Sequence, residues 1–240
     1  MRHGRRSVLV NLVLYSDQTA GEGAEIDACL LGLLRERRGG ARVGYVASGP
    51  DPERTFFQAG RAYYARLGLD LCLYHDLDLT RDAMDVARLF ACDAIHLSGG
   101  HTGDFLMRLK RSALLAPLRD WARGGGVLIG VSAGAILMAP TIATDALFLG
   151  ERPEDVEGEA LNLMPLEFFP HLDDDAAYLP ALLRYSRHTR RPILACNDGD
   201  GAVVHEGRVA CFGKAIWIVD GAVTEARGTV SLEEIAARSA

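Results

Sequence analysis

Apolar runs and stretches of helical periodicity alternate through the first half of the chain. Ser7–Tyr15 reads as a buried strand, and Ala24–Glu36 as a helix ended by Gly39-Gly40. Val43–Ala47 is a second strand, followed by a helix over Pro52–Leu67 with an apolar and aromatic face (Phe56, Phe57, Ala59, Tyr63, Tyr64). Leu69–Tyr74 is a third strand, then a helix over Arg81–Phe90 capped by Thr80, then a fourth strand at Ala94–Leu97. Asp104–Lys110 and Ala113–Arg123 carry helical periodicity before a fifth strand, Val127–Val131. Strands that are apolar on both faces and alternate with helices predict an α/β fold, a mostly parallel sheet with helices on both faces.

After Ser132 the pattern changes. Residues 145–160 are acidic and rich in turn formers and predict a surface loop, after which Leu161–Pro170 resumes an apolar run. Ala176–Arg187 predicts a helix, with Pro180 admissible because it falls in the first turn. Ile193–Cys196, Ala202–His205, Val209–Phe212 and Ala215–Val219 are short runs split by Asp-Gly, Glu-Gly and Gly-Lys, which predicts antiparallel strands near the C-terminus closing the sheet edge. Ser231 with Glu234 makes a capping box for a last helix. With no repeats, low-complexity tracts or linker-like stretches, the economical reading is a single domain over residues 1–240.

Charge and hydropathy narrow the function classes. The formal net charge is −6, so no global basic field gathers nucleic acid or an anionic membrane surface. No run approaches the roughly 20 apolar residues a bilayer span needs. The apolar run Val8–Leu14 after the basic start is short and interrupted by Asn11, which favours a core strand over a signal peptide. The five cysteines are scattered with no C-x-x-C pair, as expected of small buried hydrophobes in a reducing compartment. These features predict a cytoplasmic protein without a cofactor or a metal centre.

The local signal richest in chemistry is Gly130-Val131-Ser132-Ala133-Gly134, a G-x-S-x-G turn between the strand Val127–Ile129 and the helical Ala135–Ala139. A turn this sharp strains the serine backbone and lifts its Oγ above the strand end, and the amide of Ala133 points where an oxyanion would form. A second glycine turn, Ser98-Gly99-Gly100-His101-Thr102, follows a neighbouring strand and offers the amide of Gly100 as a second donor. Judged alone, it is equally an ordinary turn with Thr102 as helix cap. Three histidines follow the serine as candidate bases. His188 lies in a basic stretch, His205 at a hairpin-like strand end, and His171 after Phe168-Phe169-Pro170. Several aspartates could orient the base. Asp198 follows a strand, whereas Asp173, Asp174 and Asp175 sit close to His171 and resemble a solvated helix start.

Read together, the segments His96-Leu-Ser-Gly-Gly-His-Thr102, Leu114-Leu-Ala-Pro117, Ile129-Gly-Val-Ser-Ala-Gly-Ala135 and Pro140-Thr-Ile142 resemble the dipeptidase E (aspartyl dipeptidase) and cyanophycinase-type serine peptidase family. The resemblance continues through Leu163-Met-Pro-Leu, Pro170-His171 and Asn197-Asp198-Gly199, and spans roughly residues 90–220. It implies a sheet like that of class I glutamine amidotransferases (flavodoxin-like), with Ser132 as nucleophile, His171 as general base and acid, Asp198 as its orienting acid, and Gly100 and Ala133 as the oxyanion hole. It further implies a short peptide as the partner, cleaved through an acyl-enzyme; the sequence leaves the choice between monomer and homodimer open.

Three departures from the family pattern are visible. Asp198 stands where dipeptidase E has glutamate, and His101 where it has asparagine, which puts an ionisable ring beside the expected oxyanion site. The family's arginine after the catalytic histidine is missing. The chain instead reads His171-Leu-Asp-Asp-Asp175, and the three carboxylates would repel an acidic side chain and attract an ammonium group, so strict aspartyl specificity is not expected. Two other readings compete. One is an α/β-hydrolase-type esterase with His205 as base. The other is a non-catalytic binding member of the same fold, against which the intact Ser132, His171 and Asp198 argue. A glutamine amidotransferase would carry cysteine at 132.

Overall fold

The computed structural model describes residues 10–19, 21–35, 41–78, 83–156 and 158–237. The expected Ser7 start of the first strand, the Gly39-Gly40 stop and the Thr80 cap lie outside these residues.

The elements alternate as the hydrophobic pattern predicts through the first five strands: β1 (Asn11–Tyr15), α1 (Ala24–Leu34), β2 (Arg42–Val46), α2 (Thr55–Arg66), β3 (Asp70–His75), α3 (Ala83–Phe90), β4 (Ala94–Leu97), α4 (Thr102–Arg111), α5 (Leu115–Arg123) and β5 (Val127–Val131). A short α6 (Ala133–Ile136) and two 3-10 helices, Ala143–Leu149 and Pro153–Asp155, lead to β6 (Glu167–Phe169) and α7 (Tyr178–Thr189). The chain then runs through β7 (Ile193–Ala195), β8 (Gly201–His205), β9 (Arg208–Phe212), β10 (Ile216–Val219), β11 (Ala222–Glu225) and β12 (Thr229–Ser231) to α8 (Leu232–Ala237).

Eight strands form the central sheet in the order β12-β9-β8-β1-β5-β4-β2-β3. The five from β1 to β3 in that order run parallel, while β8, β9 and β12 pair antiparallel beyond β1. A second sheet of four strands, in the order β11-β10-β7-β6, takes the remainder. The late strands therefore divide. Val209–Phe212 and its hairpin partner extend the central sheet as expected, whereas Ile193–Ala195 and Ile216–Val219 leave it to pair with each other and with β6. Short apolar runs of equal length do not encode which neighbour they pair with.

Alternation within the strands explains why helices cover both faces. On one face Leu12, Leu14, Leu128 and Leu97 pack with Phe105, Leu109 and Leu118 of α4 and α5. On the other, Val13, Tyr15 and Ile129 pack with Ile26 and Leu30 of α1 and Tyr64 of α2. Each fully buried leucine or isoleucine is worth about 1.5–3 kcal/mol, so a one-residue slip of either central strand is heavily penalised. The capping box closes as the sequence indicates, with Glu234 N donating to Ser231 Oγ and Ser231 N to Glu234 Oε2, both at 3.0 Å.

Two expectations need correction. The 145–160 segment is no surface loop throughout, since Asp145 and Ala146 are buried inside the first 3-10 helix. Cys72 is exposed, because β3 is an edge strand and presents alternate side chains outward. Among the described residues no helix is long and apolar enough to cross a membrane.

Candidate functional site

β5 lies between β1 and β4, so the turn after it opens at the carboxyl end of the parallel strands, where open α/β sheets gather their sites. Ser132 sits in that turn with φ 49° and ψ −110°, a conformation few non-glycine residues adopt. Its amide donates to Tyr15 O at 3.0 Å, which ties the turn to the end of β1. The flanking glycines are demanded by close approach. A Cβ on Gly130 would lie 2.6 Å from Ala135 N, and one on Gly134 would overlap the Leu97 carbonyl. The G-x-S-x-G spacing is thus the footprint of a turn folded tightly on itself at Gly130 and against β4 at Gly134.

His171 follows β6, and its φ of 54° turns the chain sharply where the strand ends. Nε2 lies 2.9 Å from Ser132 Oγ and Nδ1 lies 2.6 Å from Asp198 Oδ1. Asp198 follows β7, the parallel neighbour of β6, and Leu172 N donating to Cys196 O (3.0 Å) holds the two strand ends together. Ser16, fully buried at the end of β1, accepts the His171 amide at 2.8 Å and lies 3.3 Å from Asp198 Oδ1. Asp17 Oδ1 accepts the amide of Gly199, closing the Asp198 loop from the same side. One strand end therefore positions all three side chains.

Across β5 from His171, the Gly99–Gly100 peptide is held by hydroxyls. Ser48 Oγ donates to Gly99 O at 2.5 Å, Ser98 Oγ lies 3.2 Å from the same oxygen, and Ser48 N donates to Ser98 Oγ at 2.8 Å. Gly100 has φ 138°, and a Cβ there would overlap Ser48 Oγ. A trans peptide opposes its C=O and N–H, so anchoring Gly99 O on Ser48 turns the Gly100 amide away from Ser48. No acceptor among the described residues pairs with the amide of Gly100 or of Ala133.

The 3-10 helix Ala143–Leu149 bridges the two sides. Asp145 Oδ1 accepts from Thr102 Oγ1 at 2.5 Å, and burial pushes the Asp145 carboxyl up from its ordinary range. Phe148 stacks on Phe169 (4.9 Å) and stands edge-on to His171 at 6.1 Å. Thr102 is therefore not the cap of α4. That place is taken by His101, whose Nδ1 accepts from Asp104 N at 3.2 Å while its ring remains exposed.

The remaining sequence candidates lie apart or are otherwise engaged. Asp173, Asp174 and Asp175 are exposed, with Asp173 accepting the Asp198 amide (3.2 Å) and Asp175 the Ala177 amide (2.8 Å). His188 is exposed on α7. His205 ends β8, whose antiparallel register with β1 carries it past Leu12, to the end of the sheet opposite Ser132, where it bonds Asn11 Oδ1 at 2.8 Å. It cannot serve Ser132 as base, which removes the esterase reading. Among the described residues no three His, Cys, Asp or Glu side chains are grouped to hold a metal ion. Sequence reasoning missed Ser16, Asp17, Ser48, Asp145 and Phe148. Ser16, Asp17 and Ser48 each follow a parallel strand, and that placement is the signal that could have marked them. Asp145 and Phe148 had no such signal.

Comparison with known proteins bears on this geometry. The model of peptidase family S51 matches residues 12–211. Peptidase E of Escherichia coli K12 and of Shigella boydii serotype 18 are each 39% identical over 88 residues, 36% of this chain and 37% of theirs, so the match spans about a third of those relatives' length. In three dimensions the chain is similar to a candidate peptidase E from Listeria monocytogenes EGD-e (TM-score 0.64, 21% identity, 85% of this chain and 98% of that one). It is also similar to a peptidase from an acI-B1 actinobacterium (TM-score 0.70, 18% identity, 93% and 97%). The fold is shared with both.

Proposed function

The chain belongs to peptidase family S51, and from that premise we propose that it is a serine-type exopeptidase of short peptides, acting through an acyl-enzyme. The observation that carries the reading is the double engagement of His171, with Nε2 2.9 Å from Ser132 Oγ and Nδ1 2.6 Å from Asp198 Oδ1. A serine, an imidazole within hydrogen-bond reach and a carboxylate on the other ring nitrogen are the parts of a nucleophile, a base and an orienter.

In the first step Ser132 Oγ attacks the scissile carbonyl carbon as its proton passes to His171 Nε2. The imidazolium is stabilised by Asp198 through Nδ1–H, and Asp198 stays ionised. The negative charge that develops on the carbonyl oxygen is met by the amides of Gly100 and Ala133, which have no competing acceptor among the described residues. Collapse breaks the C–N bond, the leaving nitrogen takes the proton from Nε2, and the acyl group remains on Ser132. Water then repeats the sequence with His171 as base, releasing the acid and the free serine.

Dipeptides are the substrate class that the sequence resemblance to the dipeptidase E family suggests. Acceptance is not restricted to amino-terminal aspartate. A carboxylate in a partly buried pocket calls for an arginine fork, and the turn after His171, where the dipeptidase E pattern carries an arginine, has none here. Neutral residues are therefore accepted before the scissile bond. The test is Ser132→Ala with a dipeptide library. Turnover of the best substrate should fall by several orders of magnitude with the melting temperature held. Retention of near wild-type hydrolysis would overturn the assignment.

A further inference from the structure

On the β4 side of Ser132, away from His171, the strand ends leave a cleft of about 660 Å3 that borders Gly99, Gly100 and Val131. That volume falls within the roughly 300–1,000 Å3 of sites that enclose small ligands. Stereochemistry says which part of a peptide reaches it. In a tetrahedral adduct on Ser132 the leaving nitrogen must face His171 Nε2 to be protonated, and the oxyanion faces the backbone amides. The fourth substituent, the carbon chain of the residue being acylated, is left to point away from His171, toward β4 and β2.

The lining states what that residue should be. Tyr45, stacked on His96 with ring centroids 4.9 Å apart, forms the floor. Phe56, Ala59 and Tyr63, spaced three and four apart on α2, form one wall. Phe56 is 70% exposed, a large apolar surface left in water beside the cleft. Several polar groups of the lining are engaged, among them Gln18, whose Nε2 donates to the Tyr64 hydroxyl at 3.3 Å. Asp51 accepts the amides of Thr55 and Phe56 at 2.8 and 3.1 Å, and Tyr63 donates its hydroxyl to Asp27 at 2.7 Å. His96 bonds Tyr64 through Nδ1, and burial pushes it down to about 3, so it brings no charge at neutral pH. Arg66 also lines the cleft, its guanidinium 5.2 Å from the Tyr63 ring centroid at the end of the wall, ten residues along α2 and so about 15 Å of helix rise from Phe56.

We propose that this cleft receives the side chain of the residue whose carbonyl is attacked, and that it selects a bulky apolar or aromatic one. The inference rests on the Ser132–His171 reading above and names the substrate class of that same site.

The test compares kcat/KM for Phe-Leu, Ala-Leu and Asp-Leu at one pH and ionic strength, in the wild type and in Phe56→Ala and Ala59→Trp. Both variants replace exposed residues of α2, so folding is not at stake. Phe-Leu should exceed Ala-Leu and Asp-Leu by about tenfold or more. Either variant should erase that advantage, read as the ratio of kcat/KM for Phe-Leu to that for Ala-Leu in the same variant. An equal rate for Phe-Leu and Ala-Leu, a preference for Asp-Leu, or a Phe-Leu preference untouched by both variants overturns the inference and leaves the peptidase reading standing. A wild type inert to all three sinks the peptidase reading instead. Calorimetric binding of Phe-Leu then still interrogates the cleft, where affinity undiminished by Phe56→Ala overturns the inference and a loss upholds it.

Discussion

Ser16 accepts the backbone amide of His171 at 2.8 Å, and the residue before it, Tyr15, accepts the amide of Ser132 at 3.0 Å. Two consecutive residues at the end of β1 thus hold the candidate nucleophile and its candidate base from the backbone side. Ser16 is fully buried, so its loss leaves the His171 amide without a partner. Ser16→Ala should cost about 1–3 kcal/mol of stability, read by urea unfolding. It should also lower kcat by about tenfold with KM little changed, because a displaced imidazole disturbs the transition state more than the bound substrate. An unchanged kcat would show that the strand ends alone hold His171.

His171, Asp198 and Ser132 should behave as one unit. His171→Ala, Asp198→Ala and the double variant are expected to lose similar activity, since each leaves the same machine incomplete. His205→Ala should stay within about twofold of wild type, because His205 is at the opposite end of the sheet. Single-turnover rates on one dipeptide decide both points, and multiplicative losses in the double variant would argue against a shared role.

The anchoring of Gly99 O by Ser48 gives a prediction about charge stabilisation. Ser48→Ala frees that peptide to rotate, and kcat should drop by roughly tenfold to a hundredfold, short of the loss from deleting an oxyanion donor outright. Affinity for a tetrahedral boronic acid inhibitor should fall by the same factor while KM holds. If KM rises and the boronic acid binds as before, Ser48 contributes to the pocket wall and not to the donor.

Burial holds His96 neutral down to about 3, whereas in the unfolded chain it protonates near 6.5. Between those values the unfolded state binds a proton that the folded state refuses, so stability is lost as pH falls from 6.5 toward 3. His96→Gln removes that contribution and should flatten the acid limb of a plot of unfolding free energy against pH, whatever it does to stability at pH 7. An acid limb as steep in the variant as in the wild type would assign the loss to other groups.

Sequence alone determined the five alternating strands and their helices, since period-2 and 3.6-period hydrophobicity is written in neighbouring residues and needs no partner to be read. It also determined the serine turn. Gly130 betrays a backbone passing within reach of itself, a constraint local enough to leave its mark in five residues, whereas Gly134 answers to the Leu97 carbonyl of the neighbouring β4. The capping box at Ser231 and Glu234 was legible for the same reason. His171 and Asp198 were legible as candidates at strand ends but were joined to Ser132 only through a resemblance, because what brings them together is the parallel pairing of β6 with β7 and the reach of Ser16 from β1. The burial of Asp145 against Thr102, the packing of Phe148 on His171 and the division of the late strands between two sheets belong to tertiary structure alone. In each, the deciding neighbour lies more than twenty residues away, and an acidic stretch reads as solvated until the partner that buries it is in place.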